Sequence, residues 1–231
     1  MKRHEKHTTV DRYSGGARIN HWITAGSLIL LALSGFALFH PSLYFLTALF
    51  GGGQWTRIIH PFIGVVLLIG FTGLFLRFVW YNFPNIDDVR WLWRIRDVIN
   101  GDEERLPEVG RYNAGQKFVF WAMTFLIIIL VLSGIGLWDV YFSSYITIDQ
   151  KRLAAVVHAV AAVAIVLVWI LHAYSAIWVR GTVRAMTRGS VTGAWAWRHH
   201  RKWLRQEVKT GRRVHGEERP PSAGEQRAPA E

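Results

Sequence analysis

Four apolar stretches constrain this chain more than anything else in it: Trp22 to Phe39, Ile58 to Phe78, Phe118 to Trp138 and Leu153 to Val179. Each is long enough, or nearly so, to cross the roughly 30 Å hydrocarbon layer of a bilayer as a helix. Arg77, close to an end, is the only Lys or Arg inside them, and no Asp or Glu interrupts any of them. The pattern predicts an all-α membrane protein, an up-down bundle of four transmembrane helices with a left-handed twist. The first twenty residues are polar and lead straight into a full span, so no cleavable signal peptide is expected.

Half of the 231 residues are hydrophobic, yet the formal charge is +11. A soluble domain seldom combines the two; here they occupy different segments. With four spans, both termini and the central loop share one side. That side carries 24 Lys and Arg residues, and the other carries three: Arg57, Lys151 and Arg152. The positive-inside rule then puts both termini in the cytoplasm. The same rule accounts for the basic tails without any nucleic acid. Trp22, Trp55, Trp80, Trp138 and Trp178 lie near span ends, as interfacial anchors do.

The expected organisation is a cytoplasmic N-terminal segment (1–20), a four-helix unit (21–180) and a basic cytoplasmic tail (181–231). The tail is basic and aromatic as far as Trp203, then rich in Pro, Ala, Glu and Arg and expected to be disordered beyond about Thr210. Between spans two and three, Asp88 to Asn100 reads as one amphipathic helix on the cytoplasmic membrane surface, with Gly101 as its stop. Trp91, Leu92, Ile95, Val98 and Ile99 share its apolar face. Ala32 to Gly35 (ALSG) and Val131 to Gly134 (VLSG) echo each other at similar depths. Glycine there lets a helix or a flat ligand approach closely, and ordinary helix packing explains it equally well.

There is no cysteine, which excludes thiolate-held iron–sulfur clusters, covalent c-type haem and disulfides. Ten histidines remain. His4, His7, His199, His200 and His215 lie in polar tails and read as solvated; His40, before Pro41, reads as an interfacial loop residue. His21, His60, His158 and His172 sit within the spans or at their edges, where an ionisable side chain is costly and usually functional. For any one of them, a hydrogen bond between helices would be a sufficient explanation.

The four together say more. His158 and His172 are fourteen residues apart, which on a helix brings them to within about 40° of the same direction and about 21 Å apart along the axis. Counting spans pairs His60 with His158 at the outer end and His21 with His172 at the inner end. Zinc asks for four protein ligands, or three and a water. Two imidazoles facing each other suit the axial positions of a six-coordinate haem, so the reading is electron transfer through two b-type haems.

At these residues the chain resembles the cytochrome b, or gamma, subunit of membrane-bound respiratory formate dehydrogenase. The resemblance runs through residues 18–22 (RINHW), 57–64 (RIIHPFIG), 111–117 (RYNAGQK) and 172–181 (HAYSAIWVRG), and covers roughly residues 12–205. It implies a partner complex: a molybdenum- or tungsten-pterin catalytic alpha subunit that oxidises formate, and an iron–sulfur beta subunit that passes electrons on. This subunit would anchor the complex and convey electrons through two haems to a quinone, menaquinone or ubiquinone, reduced near the cytoplasmic side. His172 matches the haem ligand that also contacts quinone, and Asn113 and Gln116 match polar residues lining that site. Without the resemblance, Asn113 and Gln116 read as helix-start residues that cap or meet headgroups. Three other readings stay open: the cytochrome b of a nickel–iron hydrogenase, a stand-alone transmembrane haem reductase, and an anchor whose histidines only bond between helices.

Overall fold

The computed structural model describes residues 8–102, 105–211 and 214–215. Four long helices cross its length: α1 (Gly15–Phe39), α2 (Gly53–Phe78), then, after the short helices α3 (Ile86–Trp93) and α4 (Ile95–Asn100), α5 (Ala114–Leu137) and, after α6 (Asp139–Phe142), α7 (Ile148–Trp178). The expected all-α four-span bundle is what is found. At about 1.5 Å per residue, the 31-residue α7 is about 46 Å long and overshoots the hydrocarbon layer at both ends. The bundle is apolar outward as well as inward: Ile69, Leu132, Val160 and Leu167 are all more than half exposed, as lipid-facing side chains are.

All four long helices begin earlier than their apolar runs, and in three of them a polar cap sets the start. Ser14 accepts from the Ala17 amide and starts α1 seven residues ahead of Trp22. Thr147 and Gln150 form a capping box at α7, and Asn113 and Gln116 form another at α5. Pro41–Phe50, between α1 and α2, is a 3-10 helix, and His40 caps it through Nδ1, which accepts from the Ser42 amide.

α1 lies along α2 and α5 along α7; the contacts between these two hairpins are sparse. Mid-depth, one buried residue from each long helix closes the centre: Leu28, Leu67, Ile127 and Ile165.

The segment between α2 and α5 departs from the expected single amphipathic helix. Arg94 (φ −103°, ψ 22°) breaks it in two, and Gly101 ends the second piece at φ +73°. The predicted apolar face divides as well. Trp91 and Val98 pack inward on Val109 and Ala114, whereas Leu92, Ile95 and Ile99 stay exposed. The segment is anchored to the start of α5: Lys117 Nζ donates to Asp88 (2.7 Å) and to the Phe83 carbonyl (3.1 Å), and Trp121 donates to the Asn82 carbonyl. Lys117 and Asp88 are both buried.

The two polar ends fold together. β1 (Thr9–Asp11) is the central strand of an antiparallel sheet with β2 (Ser190–Thr192) on one side and β3 (Val214–His215) on the other. Three short helices, α8 (Thr182–Thr187), α9 (Gly193–His199) and α10 (Arg201–Thr210), complete a cap around Val10, Ala185, Val191, Trp195, Ala196 and Trp203. Most of the stretch predicted to be disordered beyond Thr210 lies outside the described residues, as do His4 and His7.

His200 corrects the reading of it as solvated: it is 1% exposed. Its Nδ1 donates to the Gly110 carbonyl (2.9 Å), and its Nε2 accepts from Arg12 (3.4 Å). The carbonyl can only accept and the guanidinium only donate, so a neutral His200 satisfies both. Burial, and next the Arg12 charge, hold it well below its ordinary pKa.

Candidate histidine sites between the two hairpins

α1, α2 and α7 supply the four span histidines, and the fold brings them together in two pairs. His60 on α2 faces His158 on α7 with ring centres 6.3 Å apart; His21 on α1 faces His172 on α7 at 6.2 Å. Each pair bridges the two hairpins, and the Leu28–Leu67–Ile127–Ile165 layer lies among the same helices. The rings are inclined by 65° in the first pair and 50° in the second.

The spacing suits two ligands of one metal ion. A metal–imidazole bond of about 2.0 Å on each side, with each nitrogen about 1 Å from its ring centre, puts the centres about 6 Å apart. Among the described residues no group of three or more His, Cys, Asp or Glu side chains converges as a zinc-type site would need. The helix faces beside the His60–His158 pair, called outer here because it lies at the end of the bundle away from the start of α1 and the end of α7, are stripped of bulk. A Cβ on Gly35 would stand 3.5 Å from His60 Cε1, and one on Gly134 would stand 3.3 Å from His158 Cε1. On Gly64, one turn beyond His60, a Cβ would meet nothing within 4 Å. Haem, flat and held axially, fits paired imidazoles flanked by bare backbone.

The outer pair has a feature the sequence reading passed over. Ser34 Oγ lies 2.7 Å from His60 Nδ1, and Ser133 Oγ lies 2.9 Å from His158 Nδ1. Both serines belong to the ALSG and VLSG echo, which therefore places a Ser-Gly step against each outer imidazole. The repeat itself is the signal in the sequence for this pairing. The inner pair differs: His21 Nδ1 is buried with no hydrogen-bond partner among the described residues.

Asn113 and Gln116 do meet, but as each other's caps. Asn113 Oδ1 accepts from the Gln116 amide (2.9 Å), and Gln116 Oε1 accepts from the Asn113 amide (3.1 Å). The box engages both oxygens and leaves the two side-chain NH₂ groups outside it. Both residues stand at the same end of the bundle as His21 and His172, since α1 begins, α5 begins and α7 ends there.

That end is tied to the cap. Arg18 donates to the Thr187 carbonyl (2.6 Å) and the Trp22 indole to the Met186 carbonyl (3.1 Å), one on each side of the turn that carries His21. Lys202 on α10 hydrogen-bonds Asp87 on α3 (2.7 Å) and holds that carboxyl below the usual range.

A family model described as prokaryotic cytochrome b561 matches residues 12–189, which includes all four histidines. Among curated proteins, the formate dehydrogenase cytochrome b556(fdo) subunit of Escherichia coli K12 is 43% identical over 210 residues, covering 91% of this chain and 97% of its own length. The nitrate-inducible formate dehydrogenase cytochrome b556(Fdn) subunit of the same organism is 37% identical over 201 residues, 87% of this chain and 93% of the relative. The formate dehydrogenase cytochrome b556 subunit of Haemophilus influenzae is 35% identical over 201 residues, 87% and 84% respectively.

Proposed function

The chain belongs to the prokaryotic cytochrome b561 family, and from that membership we propose that it is the membrane anchor and electron-transfer subunit of a formate dehydrogenase complex. It holds two haem b groups in residues 21–180, takes electrons from an iron–sulfur beta subunit bound to a molybdenum- or tungsten-pterin alpha subunit, and delivers them to menaquinone or ubiquinone near the cytoplasmic side. One observation carries the reading: four histidines scattered over about 150 residues of sequence meet as two close pairs at two depths.

His60 and His158 would hold the outer haem iron, and His21 and His172 the inner. Haem supplies one-electron chemistry when bound, with a potential tuned by its axial ligands and burial. The protein's part is to present neutral imidazoles, keep water out with an apolar layer, and keep the two depths apart. Fourteen residues of α7 fix that separation at about 21 Å of rise. Moving an electron between those depths moves charge against the membrane potential, about 2.3 kcal/mol per charge per 100 mV for a full crossing. At the cytoplasmic end, the NH₂ groups of Asn113 and Gln116 are the donors a quinone carbonyl needs, with His172 the haem ligand beside it. Both termini face the cytoplasm of a bacterial inner membrane, and formate is oxidised by the partners, not in this chain.

A reduced-minus-oxidised spectrum of the purified complex, with haem counted per chain, tests the reading. Two b haems per chain, together with a co-purifying molybdenum or tungsten subunit, are expected. No b-type band would leave an anchor with hydrogen-bonded histidines, and nickel in place of molybdenum or tungsten would point to a hydrogenase cytochrome. Reporter fusions at the two termini check the orientation.

A further inference from the structure

Ser34 and Ser133 occupy matching places in α1 and α5, each just before the glycine beside an outer histidine. Each hydroxyl makes two close contacts. Ser34 Oγ is 2.7 Å from the Leu30 carbonyl and 2.7 Å from His60 Nδ1; Ser133 Oγ is 2.6 Å from the Ile129 carbonyl and 2.9 Å from His158 Nδ1. A hydroxyl has one proton, and a carbonyl can only accept, so that proton goes to the main chain in both cases. The oxygen then meets the imidazole as an acceptor. Each Nδ1 carries the hydrogen, and each Nε2 is left with its lone pair for a metal.

We propose that Ser34 and Ser133 are positioning residues of the outer site: they fix the Nδ1–H tautomer and the ring orientation of His60 and His158 and make each Nε2 a stronger donor to the haem iron. The inference rests on the reading of His60 and His158 as axial ligands of one haem. Acceptors on the far nitrogen of a ligating imidazole orient the ring and raise its basicity. A stronger donor favours the oxidised iron, so the outer haem titrates at a lower potential than it would with unbraced imidazoles. Two further features agree. The serine carbonyl partners lie on the serines' own helices, so each hydroxyl is aimed by its own backbone. The glycine that follows leaves room for the imidazole to come within reach.

The experiment uses the whole complex in membranes. Ser34→Ala, Ser133→Ala, the double variant and the two Ser→Thr variants are titrated redox-potentiometrically at the haem α band, and haem retention is measured under competition with an apo-haem acceptor protein. His60→Ala and His21→Ala identify which spectral component belongs to which site. The alanine variants are expected to raise the potential of the outer component and weaken its haem retention by about tenfold or more. The inner component should stay put, and threonine, which keeps the hydroxyl and its bond to the preceding turn, should restore the outer one. Unchanged potential and retention in the double alanine variant would overturn the proposal. So would a change confined to the inner component, or a loss of both components that threonine does not reverse. A His60→Ala variant that keeps both components would instead break the assignment of the ligands themselves.

Discussion

The two histidine sites are built in opposite ways. The outer pair is braced from inside the bundle: each imidazole rests on a serine hydroxyl of a neighbouring helix, with a glycine making space beside it. The inner pair lacks that support at His21, whose Nδ1 is buried without a partner among the described residues. Its surroundings are steadied from outside instead, by a cap of the two polar ends that grips α1 at Arg18 and Trp22. One site depends on side chains a few ångströms away. The other sits beside a helix end that the cap holds by two hydrogen bonds.

The largest test of this contrast removes the paired histidines. His60→Ala or His158→Ala should lower the haem count from two per chain to one and keep the inner spectrum; His21→Ala or His172→Ala should do the converse. Loss of both haems in every variant would mean that the sites are not independent. Next, Trp203→Ala empties the middle of the cap, where a buried tryptophan is worth about 3–5 kcal/mol. The expected outcome is faster hydrogen exchange at Val10 and Val191 and a perturbed inner haem signal, with the outer signal unmoved. Lys117→Met leaves the buried Asp88 carboxylate with only the Asn85 amide and no counter-charge, a loss of about 3–5 kcal/mol. It should expose the α3 and α4 segment to limited proteolysis and leave the outer spectrum intact.

Smaller effects separate the two glycines of the outer site. Gly134→Ala brings a methyl to 3.3 Å of His158 and should cost about 1–3 kcal/mol in thermal stability. Gly35→Ala reaches only ordinary contact at 3.5 Å and should be milder. The smallest effect is on pH. His200, facing Arg12, Arg111 and His199, has a folded pKa held below 6.5, so above that value it is neutral folded or unfolded. As pH falls below about 6.5, the unfolded chain takes up a proton that the folded cap refuses, and the cap loses stability. Strand amides of β1, corrected for intrinsic exchange, should lose protection between about pH 7 and pH 5, and His200→Gln should flatten that loss.

The bundle and the pairing of its histidines were legible in sequence because both follow from long-range regularities: apolar length, charge asymmetry, and a fourteen-residue step on one helix. The cap was not. Its strands are three residues long or shorter, too brief to show alternation, and they join Val10 to Val191 across most of the chain. His200 looked solvated because its neighbours are basic; only the meeting of Arg12 and Gly110 around it makes a buried neutral imidazole stable. The inward pull on Asp88 was equally hidden, since its partner Lys117 lies on another helix. Ser34 and Ser133 stood in plain view inside a noticed repeat. A serine in a membrane helix usually satisfies itself on its own backbone, so a second duty gives no sequence signal.

The layer of Leu28, Leu67, Ile127 and Ile165 has a consequence for energy conversion. A file of water molecules needs polar groups to hold it, and these four side chains offer none. Electrons can tunnel past such a plug, but protons cannot hop through it. On the proposed function the layer is an insulator between the two histidine depths: it offers protons no hydrogen-bonded route along the bundle centre, so charge carried between those depths as electrons would not leak back as hydronium.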